Sequence, residues 1–286
     1  MMENFAGIDH VVVTVGDLDR AAEAWRRLGF TLSPRGTHSA HLGSANHTIM
    51  LDPDYIELLT VVTPTDHNKK SRDFLARREG IDRLAFTATD AEAGAAALRA
   101  RDIHVTGPLD FGRPVHLPRE GTAEARFRTI QWPEAERPAG IGIFACQHLT
   151  RDVVWIPELM KHPNTATRLE RIEILAADPK AAAAHMAWLI GSTPVADADG
   201  AQRVASGIGR TEMVFLTREV LATRHPGITQ DGLPTEGSAC LSVRVADYSA
   251  AQHCIVASGV PAVIGADRLA VPASAATGIL VELIAA

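Results

Sequence analysis

The sequence predicts an α+β fold of four βαβββ modules arranged as two pairs. Three observations support this prediction: a gap-free internal repeat in the first half, a fainter copy of the pattern in the second half, and the chain length. The 286 residues suffice for two domains of roughly 130–150 residues each.

The internal repeat relates residues 7–26 (GIDHVVVTVGDLDRAAEAWR) to residues 80–99 (GIDRLAFTATDAEAGAAALR). Aligned without gaps, the two segments are identical at eight positions. Each segment has the pattern of a strand, an aspartate that caps a helix, and an amphipathic, alanine-rich helix. Short strand-like runs separated by Gly, Pro, Asn and Asp follow each helix, which completes a βαβββ unit.

The second half repeats this pattern more faintly, beginning at RLERIEILAADPKAAAAHMAWLIG and again at SACLSVRVADYSAAQHCIVASGV. The segment between the halves contains two prolines and has no clear period. We therefore expect a first domain over residues 1–150, a connection over 151–166 and a second domain over 167–286.

Composition restricts the classes of partner. Apolar residues make up 46% of the chain and charged residues 22%, which is typical of a globular protein, and the formal net charge is −6. With no long basic run, neither a nucleic acid nor an anionic membrane surface is an expected partner. The N-terminus lacks the features of a signal peptide, and no stretch reaches the ~20 apolar residues of a membrane helix. We expect a cytoplasmic protein, and three cysteines without CxxC spacing predict neither disulfides nor a zinc knuckle.

Four such modules, with GIDHVVV, ANHTIML, YIELL and CQHL at their strands, resemble the vicinal oxygen chelate superfamily of glyoxalase, bleomycin resistance and extradiol dioxygenase proteins. The sequence is most similar to the glyoxalase-like domain proteins, and the resemblance covers nearly the whole chain. It implies two glyoxalase-like domains with U-shaped mixed sheets. It also implies metal ligands on the first and last strands of the modules, pointing into the cleft.

At those positions the first module has His10, inside an apolar run, and Glu57, inside YIELL. A carboxylate within an apolar strand is costly to bury without a partner, which a metal would provide. A His/Glu set suits Zn²⁺, Fe²⁺, Mn²⁺ or Ni²⁺, so a divalent metal is the expected cofactor. Glu57 is also the candidate catalytic base. Alternatively, His10 is a core or edge residue, and Glu57 lies in solvent or pairs with an arginine.

A further ligand is harder to find. The repeat aligns Arg83 with His10, and an arginine cannot ligate a metal. His47 would complete a two-histidine, one-carboxylate set, or it is a solvent-exposed residue at the start of a strand. On the last strand of the second module, Cys146 or His148 is expected at the position of Glu57, and His148 is the better ligand.

Candidate substrate-binding residues are Arg83, which could instead hold a substrate carboxylate or pair with Glu57, and Arg128 and Trp132 near the expected cleft. The second domain has Arg171 where the first has His10, and keeps Glu282 on its last strand. Its metal set is therefore degenerate, and we expect it to support folding, dimerisation or a wall of the cleft.

The sequence thus predicts a metalloenzyme of the lyase, isomerase or dioxygenase type that chelates a small, oxygen-rich organic substrate. Glutathione-type isomerisation, ring cleavage and epimerisation all fit the fold, which does not choose among them. The alternative is a metal-free protein that binds or sequesters a small molecule in the same cleft. A small molecule is the expected partner in both cases, and a homodimer is compatible with either.

Overall fold

The computed structural model describes residues 2–117 and 121–286, whose strands form two mixed sheets of eight strands each. The elements of the first domain are β1 (Phe5–Thr14), α1 (Leu18–Arg27), β2 (Gly36–Thr37), β3 (Ser44–Met50), β4 (Tyr55–Val61), α2 (Lys69–Leu75), β5 (Gly80–Ala88), α3 (Ala91–Arg99), β6 (Thr106–His116), β7 (Thr122–Gln131) and β8 (Gly142–His148). Those of the second domain are β9 (Ala166–Leu175), α4 (Pro179–Ile190), β10 (Pro194–Ala196), β11 (Gln202–Ala205), β12 (Glu212–Leu216), α5 (Arg218–Arg224), β13 (Gly237–Val245), α6 (Tyr248–Ser258), β14 (Val263–Ile264), β15 (Arg268–Val271) and β16 (Leu280–Ala285). Short 3₁₀ turns span Pro138–Gly140, Arg151–Val153, Pro157–Met160 and Ala273–Ala275.

The strand order shows how the modules pair. It is β2-β3-β4-β1-β5-β8-β7-β6 in the first sheet and β10-β11-β12-β9-β13-β16-β15-β14 in the second. In every module the first strand lies parallel to the last, and the first strands of two modules run antiparallel at the centre of the sheet. The predicted α+β fold, with four βαβββ modules in two glyoxalase-like domains, is confirmed.

An aspartate begins the main helix of each module. Its carboxylate accepts a hydrogen bond from the main-chain N–H three residues later, which satisfies one of the free donors of the first turn. The four pairs are Asp17 with Arg20, Asp90 with Ala93, Asp178 with Ala181, and Asp247 with Ala250. The repeated aspartates of the sequence are therefore helix caps.

The helices α1, α3, α4 and α6 cover the convex faces of the sheets, and their buried side chains belong to one continuous apolar core. Separate, smaller clusters lie on the concave faces. In the first sheet, curvature brings the edge strands β2 and β6 into contact. No helix among the described residues is both long enough and apolar enough to cross a membrane.

The segment between the two sheets packs back onto the first domain. Trp155 donates its indole N–H to the carbonyl of Leu51 (2.9 Å), and its ring meets those of Tyr55 and His148 edge-on. Arg151 stacks on the outer face of Trp155 at 3.8 Å. This segment therefore covers one side of the first concave face.

Candidate active site

His10 and Glu57 meet on the concave face of the first sheet. In the parallel pairing of β1 with β4, His10 is opposite Tyr55 and Val12 is opposite Glu57. Because side chains alternate along a strand, His10, Tyr55 and Glu57 share one face. The ring of His10 stacks on Tyr55 at 4.3 Å, and its Nε2 lies 3.8 Å from Oε2 of Glu57. The His10 side chain is 4% exposed and that of Glu57 is 13% exposed.

Asp9 also reaches this face, which simple alternation along β1 would not allow. The register between β1 and β5 shifts between Ile8 and His10, so Asp9 is the extra residue of a β-bulge. Its Oδ1 lies 2.7 Å from Nδ1 of His10 and 2.9 Å from Nε2 of His148, and its Oδ2 accepts a hydrogen bond from Thr87 (3.0 Å). Asp9 therefore orients His10: a neutral ring carries its proton on Nδ1 and turns the Nε2 lone pair toward Glu57.

The neighbours of both carboxylates keep them ionised. Burial alone would raise the pKa of Asp9, but His148 and His10 outweigh it and hold that pKa well below its ordinary value. Burial likewise opposes ionisation of Glu57, yet His10 and its other neighbours lower the pKa of this group. The face thus presents two buried negative charges that meet histidine nitrogens.

Glu57 is positioned by β3 and faced by β6. Asn46 donates its amide N–H to Oε1 of Glu57 (2.5 Å), and Arg113 and His38 also contribute favourable charge. Asn46 and Arg113 close in over Gly36, where a Cβ would lie 2.4 Å from Asn46 Oδ1 and 3.1 Å from Arg113 Nη1. Glycine at position 36 therefore permits this close approach. Asn46 was not singled out from the sequence, since nothing local distinguishes it from other strand amides.

The structure does not bring His47 to this face. Asn46 and Thr48, its neighbours on β3, point toward Glu57, so alternation directs His47 to the opposite side of the sheet. There its Nδ1 lies 2.7 Å from the carbonyl of Ser33, near α1. Burial lowers the pKa of His47, which keeps the ring neutral. A His10/His47/Glu57 set is therefore not assembled.

The register also changes the expected counterpart of Glu57 in the second module. Val12 is opposite Glu57, and Ala85, its equivalent in the repeat, is opposite Phe144. Phe144 thus occupies the equivalent position, in place of the Cys146 or His148 expected from the sequence, and its ring meets His10 edge-on at 5.4 Å.

His148 nevertheless belongs to the site, because it binds the same oxygen of Asp9 as His10 does. Its Nδ1 is buried and has no hydrogen-bond partner among the described residues. Cys146 lies close by, since Asp9, Cys146 and His148 each offer a donor atom within 4.8 Å of the others. Burial raises the pKa of the Cys146 thiol well above its ordinary value, so that thiol is protonated.

Arg83 and Phe144, the second-module counterparts of His10 and Glu57, line a cavity of about 320 Å³ between α2, β5 and β8. Arg83 contacts Asp82 (3.1 Å) and donates to the hydroxyl of Ser71 (3.1 Å). Trp132 also lines this cavity, although its indole N–H is bonded to the carbonyl of Leu189. Two residues of the cavity lining, Arg83 and Phe144, thus stand at the positions where the resemblance to the superfamily implies further metal ligands.

Arg128 does not line this cavity. It forms a two-pronged ion pair with Asp110 on the neighbouring edge strand β6, through Nε (2.5 Å) and Nη2 (2.9 Å). Both side chains are substantially exposed. Of the three candidate substrate-binding residues, the structure therefore brings Arg83 and Trp132 together and leaves Arg128 apart.

The second domain fills the equivalent concave face with its own ions. Glu173 and Glu282 are fully buried, and Arg171 contacts both, at 3.2 and 2.7 Å. His225, just after α5, lies with Nε2 2.6 Å from Glu173 and Nδ1 3.6 Å from Glu282. Ser242 donates its hydroxyl to Glu282 (2.7 Å). These contacts form a buried ionic network.

Glu282 is the counterpart of Glu57, because it pairs with Ser242 as Glu57 pairs with Val12. Glu173, His225 and Cys240 also lie within metal-ligating distance of one another. The charge of Glu173 is already balanced by Arg171 and His225, so this cluster has little need of a cation. The degenerate second site therefore consists of more than the single carboxylate foreseen from sequence.

The first domain fits a divalent metal better. His10 offers Nε2 and Glu57 a carboxylate oxygen from one buried face, and the other nitrogen of His10 is held by a carboxylate, as is usual for metal-bound histidines. Arg83 and Phe144 cannot ligate. His10 and Glu57 would thus provide two ligands of a divalent metal, and the remaining ligands would have to come from other groups.

The comparisons with known proteins agree with this architecture. Residues 8–190 match the model of a family described as "Glyoxalase-like domain". The fold resembles that of a hypothetical protein from Staphylococcus aureus, with a TM-score of 0.69, 11% identity, and coverage of 98% of this chain and 99% of that one. A search among curated proteins returned no match.

Two further solved structures share the fold. A mutant of 4-hydroxymandelate synthase from Streptomyces coelicolor aligns with a TM-score of 0.59 and 12% identity, over 99% of this chain and 93% of that one. A fusion of a xylose isomerase-like TIM barrel with 4-hydroxyphenylpyruvate dioxygenase aligns with a TM-score of 0.62 and 13% identity, over 98% of this chain and 49% of that one. These structures show the shared fold. Because the family model matches residues 8–190, the chain belongs to the glyoxalase-like domain family, within the vicinal oxygen chelate superfamily.

Proposed function

We propose that the first domain is a metal-dependent enzyme of the lyase or isomerase type, in which His10 and Glu57 hold a divalent cation and a small, oxygen-rich acid is the substrate. The observation that carries the proposal is the pairing of these two side chains on one buried face, with His10 oriented by Asp9. When bound, the metal would act as a Lewis acid toward vicinal oxygens of the substrate.

The protein's own residues have separate tasks in this proposal. Asp9 keeps His10 in the tautomer that offers Nε2, and Asn46 holds one oxygen of Glu57 in place. Glu57 is ionised and buried, which suits a carboxylate ligand of a cation, and the neighbours that lower its pKa also make it a weaker proton acceptor. Proton transfer is favoured over dioxygenase chemistry, because Arg83 stands where the repeat would need another histidine.

Within the cavity, Arg83 is the residue that we propose for an acidic substrate. The lining carries four basic and four acidic side chains and includes the apolar rings of Phe144 and Trp132. Lys70 and Arg137 both pair with Glu134, whereas the neighbour of Arg83 is Asp82, whose pKa is raised by burial. A guanidinium with donors in a planar fork binds a carboxylate well, and the rings would bury the carbon skeleton. We therefore propose that the substrate's carboxylate lies against Arg83 while its vicinal oxygens face the cation that His10 and Glu57 would hold.

The alternative function is metal-free binding of the same class of ligand. It is favoured by one specific observation: Arg83 and Phe144 occupy the two positions where the superfamily places its remaining ligands. In that case the His10–Glu57 pair would be held together by its own charges and by Asn46.

Metal titration of the full chain distinguishes the two functions. The protein would be stripped with a chelator and titrated calorimetrically with Zn²⁺, Mn²⁺, Ni²⁺ and, without oxygen, Fe²⁺. One ion per chain, lost in both His10→Ala and Glu57→Gln, is expected. His41→Ala, in an exposed loop, and Glu212→Gln, on β12, are matched controls that should bind as wild type does. If wild type binds none of the four ions, the metal-dependent function is ruled out.

Ligand-observed NMR with a panel of small 2-oxo and 2-hydroxy carboxylic acids tests the substrate class. Arg83→Met should weaken binding about tenfold or more, the usual value of a lost charge-assisted hydrogen bond. Arg128→Met removes the same charge outside the cavity and should leave binding unchanged. Equal effects of the two variants would contradict a specific role for Arg83.

A further inference from the structure

A loop of the second domain lies directly against the bulge that places Asp9. This loop, residues 206–211, joins β11 to β12 and contacts Ile8, the residue before Asp9. The main-chain N–H of Ile8 donates to the hydroxyl of Ser206 (3.1 Å), and Nη2 of Arg210 donates to the carbonyl of Ile8 (2.5 Å). Both main-chain polar groups of Ile8 are thus bonded by side chains of the other domain.

The strand pairing explains why outside partners are needed. Ile8 is paired with Phe86 on β5, but the pairing of β1 with β4 begins only at His10, and buried main-chain groups without a ladder partner must find others. Ser206 is fully buried, and its hydroxyl in turn donates to the carbonyl of Thr211 (2.6 Å). The loop therefore supplies fixed partners for Ile8 at the edge of β1 that β4 does not cover there.

Arg210 packs so closely on β1 that only glycine fits beneath it. Gly7 has φ of +107°, and a Cβ there would lie 2.5 Å from Cγ and 2.7 Å from Cβ of Arg210. On the loop side, a Cβ at Gly207 would be 3.1 Å from both Arg210 Cγ and the carbonyl of Ala6. Glycines on both sides of this contact, Gly7 on β1 and Gly207 in the loop, thus leave the space that the Arg210 side chain occupies.

From Arg210 a short chain of contacts leads to His10. Nη2 of Arg210 lies 3.4 Å from the hydroxyl of Thr87, and this hydroxyl donates a hydrogen bond to Oδ2 of Asp9 (3.0 Å). The other oxygen of Asp9, Oδ1, lies 2.7 Å from Nδ1 of His10. The buried carboxyl groups of Asp54 and Asp9 both favour the charged form of Arg210. Arg210 is therefore linked to Asp9 through Thr87 and through charge.

We propose that Arg210, together with Ser206, is a positioning device through which the second domain holds Asp9 in the orientation that sets the tautomer of His10. The inference rests on the proposed function only in taking His10 and Glu57 as the reactive pair. The second domain, whose own concave face is filled by an ionic network, would thereby position residues of the site in the first domain.

The test uses the metal-free full chain and nitrogen-15 NMR of its imidazole groups at one neutral pH. In wild type, a slowly exchanging Nδ1–H signal is expected for His10, assigned by its absence in His10→Gln. Arg210→Met should broaden or remove this signal, Ser206→Ala should weaken it, and Arg210→Lys should retain it in part. The signals of His225, in the second domain, should stay in place.

Arg203→Met is the matched control, because Arg203 lies on the same hairpin but pairs with Asp197 (2.6 Å) within the second domain. If Arg210→Met leaves the His10 signal unchanged, or if Arg203→Met removes it equally, the positioning role is overturned. Should Arg210→Met fail to fold, Ser206→Ala and Arg210→Lys decide: a wild-type His10 signal in both overturns it as well.

Metal titration separates this inference from the proposed function. If wild type binds a divalent ion, Arg210→Met should bind it about 10- to 100-fold more weakly, as removal of partners beyond the ligands usually does. If wild type binds no ion, the metal-dependent function fails, while the imidazole signals still test the positioning role of Arg210.

Discussion

On the concave face of the first sheet, His10 and Glu57 stand 3.8 Å apart, and no arginine or lysine among the described residues forms an ion pair with Glu57. On the concave face of the second sheet, Arg171 contacts two buried glutamates, and His225 bridges them. The two faces come from the same module architecture. They differ in the source of the positive charge that balances the buried carboxylates. In the second sheet the protein supplies it with Arg171, and in the first sheet no arginine or lysine of the described residues pairs with Glu57.

The difference follows from a few equivalent positions on the central strands. The position of His10 holds Arg83, Arg171 and Cys240 in the other modules, and the position of Val12 holds Glu173 in the third. Where arginine replaces histidine beside carboxylates, the guanidinium neutralises them permanently, because it does not lose its proton. A histidine in that place leaves a lone pair and a carboxylate available, which is what a ligand site needs.

The helices α2 and α5, which lie beside the two concave faces, also differ in whether they add charged side chains to the face. In the second domain, α5 ends at Arg224 and His225, and both side chains enter the ionic network around Glu173. In the first domain, α2 instead borders the 320 Å³ cavity that Arg83 lines. One concave face is therefore closed by its own polar side chains, and the other remains open on one side.

The largest expected effect is on the ionic network. Arg171→Met removes the cation that contacts both Glu173 and Glu282 and should lower the free energy of unfolding by roughly 3–5 kcal/mol, since it leaves buried charge unpaired. Arg83→Met, at the equivalent position of the second module, should cost less than about 1 kcal/mol, because burial raises the pKa of its neighbour Asp82, which can take up a proton. Urea unfolding of both variants measures the contrast, and equal losses would contradict the distinction between the two faces.

A pH effect is expected at the junction of the domains. Asp54 accepts a hydrogen bond from the main-chain N–H of Leu169 (2.9 Å) and lies 3.3 Å from the hydroxyl of Thr211. Burial raises its pKa to about 7. Since this folded-state pKa is above that of the unfolded chain, near ~3.9, its stabilising contribution is complete below about pH 4 and lost as the pH rises to about 7.

Asp54→Asn should therefore be more stable than wild type at pH 8, by up to roughly 4 kcal/mol, and the gain should shrink toward pH 4. The amide keeps an oxygen for Leu169 and offers an N–H to Thr211. Thermal unfolding across this pH range is the measurement, with Asp231→Asn, at an exposed position, as control. A gain that grows toward acid pH would show that Asp54 is ionised in the folded protein.

Gly36→Ala tests the packing beneath the reactive pair. The new Cβ would collide with the amide of Asn46, which holds Glu57, so a loss of about 1–3 kcal/mol is expected. Any metal bound by the first domain should bind more weakly in this variant, whereas the neighbouring exposed Thr37→Ala should change neither property. Unfolding and metal titration of the same samples check both, and an unaltered affinity would separate Asn46 from the site.

The smallest effect is expected at the segment that covers the first concave face. Arg151→Ala removes a cation stacked at 3.8 Å on Trp155, from a half-exposed position. A loss of about 0.5–1 kcal/mol is expected, the usual size of such a contact near the surface. Tryptophan fluorescence during unfolding reports it, and a loss as large as that of Arg171→Met would mean that the segment carries much of the domain's stability.

Local features of the sequence were enough to predict the repeated modules and the aspartates that begin the helices, whereas the shared face of His10 and Glu57 was implied by the resemblance to the superfamily. The first two depend on spacing of a few residues: alternation along a strand, or a side chain that bonds its own helix. The counterpart of Glu57 in the second module is Phe144 and not Cys146 or His148, because register between strands that are distant in sequence cannot be read from either strand alone.

What only the tertiary structure decided is which polar groups meet across that distance. Asp9 enters the site because β1 bulges against β5, and the main-chain groups of Ile8, the residue before it, are bonded by Ser206 and Arg210 from the other domain. His225 reaches Glu173 from a loop some fifty residues away. A buried charge is costly unless it is paired, and the partner can come from any part of the chain that the fold brings close. The local sequence pattern therefore shows the candidate site residues, and tertiary packing decides which of them meet.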